Sequence, residues 1–260
     1  MENLRDSLFT LGTWNVLHRY HEENYVPKSL ILKNYPDEKK RINDQISLID
    51  EILKTSKSIL CLQEVSGDLL ENIKNKFANY NILTYEHKRI PTLKKQSLNI
   101  YKDAREFMII LANKEFEIKE NSYIQLKMLG KAIQAVTFLI NDKTFTVQNV
   151  HHSFKRTGEV EILENFTTLK DKKIKNPILI CGDFNRKYHY LKKSLITNNL
   201  YSMVDEFVNT DIYPFTMPEK KISYDHILGL NFKENEFILS KIINVDTSDH
   251  NMVITRIINK

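Results

Sequence analysis

The 260-residue sequence is poor in the residues that punctuate or staple a chain, with 6 Gly, 6 Pro and 2 Cys. No stretch rich in Gly, Ser or Pro reads as a linker, so one domain over residues 1–260 is expected. Two cysteines cannot build a disulfide scaffold. Cys61 and Cys181 each sit inside an apolar run (Ile59-Leu60-Cys61-Leu62 and Ile178-Leu179-Ile180-Cys181). A thiol packs there as a small hydrophobe, and a reducing compartment is favoured. Apolar runs of membrane-spanning length are missing. A secretory leader is missing too, because Glu2, Arg5 and Asp6 interrupt any apolar segment. The expectation is an intracellular protein, cytoplasmic or nuclear, with no membrane contact and no evident protein partner. The sequon Asn165-Phe166-Thr167 is expected to be part of a helix. Charge is nearly balanced: 38 Lys+Arg against 33 Asp+Glu give +5, which permits contact with a phosphate backbone without demanding it.

What is present is an alternation of strands and helices. Residues 8–16 read as a strand, followed by a charged, proline-marked segment from His18 to about Lys40. Ile42, Ile46, Ile49 and Leu53 recur at helical spacing. A short, wholly apolar strand spans 58–62. Ser66-Gly67-Asp68 starts a helix striped by Leu69, Ile73 and Phe77. Residues 88–105 form a basic loop carrying Lys88, Arg89, Lys94, Lys95, Lys102, Arg105 and Tyr101. Strands follow at 107–111, 132–140 and 144–150, the last two joined by an Asn141-Asp142 hairpin. A helix over 159–172 leads to a buried strand at 178–181. The last third holds a short helix near 203–207 and strands near 222–229, 236–243 and 252–257. Interleaved elements followed by late strands imply two packed sheets with helices outside.

Polar residues recur at the ends of these strands: Asn15, then Gln63-Glu64, Asn149-Val150-His151-His152, Gly182-Asp183-Phe184-Asn185, Tyr224-Asp225-His226 and Ser248-Asp249-His250. Strand ends are where a rigid α/β core places sites. Taken singly, a Leu-Gln-Glu or an Asp-His pair is an ordinary exit from a strand. Gly182-Asp183-Phe184-Asn185 says more. Gly permits a tight turn, and an extended backbone would leave the acid and the amide facing the same way.

In this order the set resembles the endonuclease/exonuclease/phosphatase superfamily of metal-dependent phosphoesterases, to which deoxyribonuclease I belongs. The matching residues are Trp14-Asn15, Leu62-Gln63-Glu64-Val65, Asn149-Val150-His151, Gly182-Asp183-Phe184-Asn185, Tyr224-Asp225-His226-Ile227 and Ser248-Asp249-His250. The resemblance implies a four-layer α/β sandwich, two mixed β-sheets flanked by helices. It implies a Mg²⁺ cofactor, with Mn²⁺ able to substitute. Glu64 is the expected metal ligand with Asn15 beside it, and Asp249 would complete the shell or hold a second ion. The resemblance further implies that Asp183 orients or deprotonates the attacking water, helped by Asn185. His250 would contact the scissile phosphate with Asp225 holding its ring. His151, preferred over His152, would contact phosphate or protonate the leaving group. His226 has no expected catalytic role, and Thr216 in Pro214-Phe215-Thr216 stays outside the catalytic set. Arg186 is a substrate-binding candidate, within reach of a phosphate.

The opening Trp14-Asn15-Val16-Leu17 is similar to deadenylase-type members, and the tyrosyl-DNA phosphodiesterase branch is comparably close. A Trp-Cys-Asp-Arg run, the mark of inositol polyphosphate phosphatases, is absent. With the 88–105 loop as a phosphate track and Tyr101 as a base-stacking ring, a nuclease on RNA or DNA is the leading expectation. The alternatives are a 5′-tyrosyl-DNA or small-molecule phosphoesterase and, outside enzymes, a catalytically silent binding module.

Overall fold

A computed structural model describes residues 7–258 apart from 27, 56, 95–99, 127–130, 209–214 and 234–235. The chain begins with β1 (Ser7–Asn15), whose residues beyond the first are all buried. Two short helices follow, α1 (Arg19–Tyr25) and α2 (Leu30–Asn34), then the long α3 (Glu38–Thr55). Next come β2 (Ser58–Ser66), α4 (Gly67–Lys76), β3 (Tyr80–Glu86), β4 (Glu106–Asn113) and β5 (Glu117–Gln125). The hairpin β6 (Ala132–Ile140) and β7 (Lys143–His151) turns on Asn141 and Asp142, both at positive φ (46° and 61°). Two positive φ values match the right-handed twist of the strands they join. Then come α5 (Lys155–Lys172), β8 (Ile178–Asp183), α6 (Tyr188–Thr197), a 3-10 turn at Tyr201–Met203 and β9 (Glu206–Phe207). β10 (Asp225–Leu230), β11 (Phe237–Ile243) and β12 (Met252–Ile258) close the fold. Among the described residues, no helix is long and apolar enough to cross a membrane.

The strands form two six-stranded sheets, ordered β11-β12-β1-β2-β4-β3 and β5-β6-β7-β8-β10-β9. Both are mixed, with one parallel pair each, β1–β2 and β7–β8. A central core of Phe9, Leu11, Ile59, Cys61, Ile110, Phe138, Val147, Leu179, Cys181 and Ile227 lies between the sheets. Two outer cores pack helices on the far faces: α3 and α4 against the first sheet, α5 and α6 against the second. The four-layer sandwich is thus realised, and both cysteines are free and buried, Cys61 beside Cys181.

Several elements differ from the sequence expectation. The 18–40 segment contains α1 and α2, and the buried residues of α1 are Arg19, Tyr20 and Glu22, so no apolar stripe marks it. β3 and the edge strand β5 are additional strands, and β5 is exposed at all but Ile118, Ser122 and Ile124, which removes the continuous apolar run of a central strand. α5 begins at Lys155, and the region near 203–207 is a 3-10 turn and a short strand. Gly182 lies inside β8 instead of in a turn. At φ 145°, a Cβ there would meet Val150 O at 1.9 Å, so only glycine allows β7 and β8 to approach.

Candidate functional site

Strand register builds one row of polar residues across the second sheet. β7 pairs His151 with Asp183, and β8 pairs Asp183 with Asp225. Adjacent strands lie about 4.8 Å apart, so three side chains of one row can share a site. The facing row ends β1 and β2, where Asn15 pairs with Gln63. A bulge follows: register shifts between Leu62 and Val65, and Glu64 stands at φ 56°. That extra residue turns the Glu64 carboxylate toward the opposite sheet.

The two rows meet through hydrogen bonds. Asn15 Nδ2 donates to Glu64 Oε1 at 2.9 Å and to Asp183 Oδ2 at 3.2 Å. His18 N donates to Glu64 Oε2 at 3.0 Å. His151 Nε2 lies 3.5 Å from Glu64 Oε1 and 3.9 Å from Asp183 Oδ2. His250, from the loop before β12, donates through Nδ1 to Asp225 Oδ2 at 2.7 Å and places Nε2 3.9 Å from Asp183 Oδ2. The expected residues Asn15, Glu64, His151, Asp183, Asn185, Asp225 and His250 therefore gather at one end of the sandwich. Metal-ligating atoms of Glu64, His151 and Asp183 all lie within 4.8 Å of one another.

Electrostatics follow from burial. Burial, reinforced by the Asp225 and Glu64 carboxylates and opposed by His250, lifts the Asp183 carboxyl to about 7. Burial would lower His250, but Asp225, Asp249 and Asp183 outweigh it and hold the imidazolium well above the usual histidine range. Burial and the nearby Lys131 push His151 well below it, so its ring is neutral at pH 7.

Some expected residues take other positions. Asp183 and Asn185 do not face the same way on an extended strand. Asn185 adopts φ 49°, its N donates to Asp183 Oδ1 at 2.7 Å, and its Nδ2 donates to His152 O at 2.9 Å and Asp183 Oδ2 at 3.3 Å. Asn15 presents its amide nitrogen to the acids, because its Oδ1 accepts from Leu17 N at 3.0 Å. Asp249 lies beyond His250, with Oδ1 3.9 Å from His250 Nε2, outside the Glu64–His151–Asp183 group. Arg186 turns away from the acids. Its Nη2 donates to Lys155 O (3.0 Å) and Glu159 Oε2 (3.1 Å), tying α5 to the β8 exit. Tyr101 cannot stack on a base: it is 3% exposed, and its hydroxyl donates to Glu38 and accepts from Arg19 N. His152 faces Glu161 and Phe184 instead of the site, and His226 bonds Arg186 O between Phe184 and Phe207. Thr216 supports the site by accepting from Asp225 N at 3.3 Å. Lys95 and Pro214 lie outside the described residues.

Other residues support the site through partners that the sequence does not show. Arg41, fully buried, donates to the carbonyls of Val16, Leu17 and Thr247 and pairs with Glu38 at 2.6 Å. Trp14 Nε1 donates to His250 O, and Ser248 Oγ to Asn15 O. These bonds clasp the end of β1 to the His250 loop. Below the site, Gln63 Nε2 donates to Asn149 Oδ1 at 2.7 Å, and Asn149 Nδ2 donates to Leu62 O and Ile109 O. Asn149, a motif residue, thus stitches the sheets together. The individual residues gave no hint of these partners, since every pair is forty or more positions apart except those from Arg41 to Glu38, Val16 and Leu17.

Two facing sheets with acids, amides and histidines gathered at one end define the α/β-sandwich phosphoesterase class. The chain belongs to the Endonuclease/Exonuclease/phosphatase family, whose model matches residues 12–250. Members of that family are divalent-metal-dependent phosphoesterases and nucleases. Solved structures share the fold at low identity. A humanized TDP2 from D. rerio is 15% identical with a TM-score of 0.64, covering 95% of this chain and 97% of its own. The human Nocturnin catalytic domain is 16% identical, with a TM-score of 0.66 and coverage of 95% and 93%. An endonuclease/exonuclease/phosphatase from Bacteroides vulgatus is 16% identical, with a TM-score of 0.63 and coverage of 96% and 98%. Comparison with curated proteins by sequence finds no match.

Proposed function

We propose that the protein is a divalent-metal-dependent phosphodiesterase that hydrolyses nucleic acid. One observation carries this reading: a buried Asp183 carboxyl, lifted to about 7, faces Glu64, Asn15, His151 and His250 together. The donor set fits a hard cation. Glu64 would hold it with Asp183 at hand, and Asn15 would join by turning its amide over and releasing Leu17 N. Mg²⁺ is the ion expected, with Mn²⁺ as substitute. When bound, the cation supplies charge neutralisation at a nonbridging phosphate oxygen and at the leaving oxygen.

The chain's own residues do the rest. Asp183, poised near neutrality, takes the proton of the attacking water, while Asn185 pins its carboxylate. His250, kept charged by Asp225, contacts the phosphate. His151, neutral, serves as a hydrogen-bond donor to phosphate and not as the proton source for the leaving group. Asp249 adds to the negative potential that keeps His250 charged.

A second observation supports nucleic acid as the substrate class. Phe154 is 54% exposed and meets Tyr224 edge-on at 6.0 Å, next to Asp183. Lys155 and Arg156, both exposed, follow Phe154 on the rim. Rings beside cations suit bases and phosphates of a single strand, and this rim takes the part that Tyr101 cannot.

The test incubates the protein with labelled single-stranded RNA, single-stranded and duplex DNA, a 5′-tyrosyl oligonucleotide and inositol phosphates, with Mg²⁺ or EDTA. Mg²⁺-dependent cleavage of a polynucleotide is expected. Turnover of the tyrosyl adduct or inositol phosphates alone would replace nucleic acid as substrate, and no turnover of any substrate would favour a binding module.

A further inference from the structure

Next to the acids lies a second cluster, nitrogen-rich, of which the reading above uses His151 alone. Glu106 begins β4, His87 follows β3, and His151 ends β7. His87 N donates to Glu106 O at 2.9 Å, which fixes the two side by side. The ligating atoms of His87, Glu106 and His151 all lie within 4.8 Å of one another. His87 Nε2 is 3.8 Å and His151 Nδ1 4.0 Å from Glu106 Oε1, too far for direct hydrogen bonds. Both nitrogens are buried, and neither has a hydrogen-bond partner among the described residues. The side chains of His87, His151 and Glu106 are 10%, 10% and 9% exposed. Two inward-facing imidazole nitrogens without partners, around a carboxylate, call for an occupant.

An anion does not fit, since the Glu106 carboxylate would repel it. Burial would raise Glu106, but His21, through its hydrogen bond and charge, holds it ionised. A borderline transition-metal ion fits. In a tetrahedral site with bonds of about 2.0–2.1 Å, ligand atoms sit about 3.4 Å apart, about half an ångström inside the 3.8 and 4.0 Å by which the two nitrogens stand from Glu106 Oε1. His21 Nε2, 2.7 Å from Glu106 Oε2, orients the carboxylate and leaves Oε1 for the ion. With His151 ligating through Nδ1, its proton resides on Nε2, which faces Glu64 Oε1. We propose that His87, Glu106 and His151 form a binding site for a borderline divalent transition metal such as Zn²⁺ or Co²⁺, distinct from the oxygen-rich position at Glu64. Two imidazoles and one carboxylate select such ions over Mg²⁺.

The site is independent of whether the protein cleaves phosphoesters, and binding itself is the readout. Apoprotein is titrated with Co²⁺ and followed by visible ligand-field absorption, then with Zn²⁺ by calorimetry, both in excess Mg²⁺. One tightly bound ion per chain is expected, unaffected by Mg²⁺ and retained in Glu64→Gln. His87→Gln should lose it, and His21→Gln should weaken it about 10–100-fold, the usual effect of removing an outer partner. Circular dichroism confirms that each variant is folded, and His87→Phe gives a second test at the same position. Absence of a Co²⁺ spectrum, full retention in both folded His87 variants, or loss in Glu64→Gln would each overturn the proposal.

Discussion

Replacing Asp183 by Asn should make the protein more stable at alkaline pH while removing the proposed base. The carboxyl is displaced from 3.8 to about 7, and at about 1.4 kcal/mol per unit this amounts to about 4 kcal/mol. Because the folded value is raised, the folded state prefers the protonated form. That contribution is fully present below about 3.8 and is lost as pH rises through about 7. At pH 8 the native protein carries the whole cost of an ionised buried acid, and Asn carries none. Asn185 N can still bond the remaining oxygen, but the new amide meets the amide nitrogens of Asn15 and Asn185. Losing those two bonds costs about 1 kcal/mol each. The net gain is about 2 kcal/mol, or about 4–8 °C in Tm for a domain this large. Thermal and urea unfolding in EDTA from pH 5 to 8 would measure it. The advantage of the variant should grow with pH and shrink toward pH 5. An unchanging difference across that range, or a variant less stable at pH 8, would refute the electrostatic account.

Other substitutions probe the rest of the site. Glu64→Gln should lower kcat/KM on any cleaved substrate by at least about 100-fold, the scale of losing one electrostatic stabiliser, and should abolish Mg²⁺-induced thermal stabilisation. Asp225→Asn removes the main partner that raises His250, so the alkaline limb of the rate profile and the imidazole titration seen by NMR should both move to lower pH. Arg41→Ala takes the guanidinium away from Glu38 and from the Val16, Leu17 and Thr247 carbonyls in the interior, leaving Glu38 to Tyr101 and Arg19. Urea unfolding should show a loss of about 3–5 kcal/mol.

The strands that carry the site were legible because polar residues border their apolar runs: parallel β7 and β8 align their last residues, and antiparallel β10 brings its first, Asp225, to the same edge. His151, Asp183 and Asp225 share one register row, so recognising the strands nearly suffices to bring them together. The partners of Tyr101 and Arg186 are hidden in the sequence for a common reason. A basic or aromatic residue in a loop looks available, whereas Tyr101 is committed to Glu38 and Arg186 to Glu159 by contacts made in three dimensions. His21, His87 and Glu106 went unnoticed because each stands in a different segment without a motif, and only the sandwich joins them. α6 escaped notice because just two of its residues, Leu191 and Leu195, are buried.

The position of β12 between β1 and β11 has a consequence for the life of the chain. His250 and the strand after it are more than 230 positions from the end of the first strand, yet they lie against it and are clasped there by Trp14 and Ser248. A nascent polypeptide can hold Asn15 and Glu64 long before it holds the imidazole that faces them. The facing rows are therefore incomplete until the segment before β12 is made, and a product truncated ahead of it carries the acids without the imidazole. Contacts spanning more than 230 positions also tend to make the final closure slow.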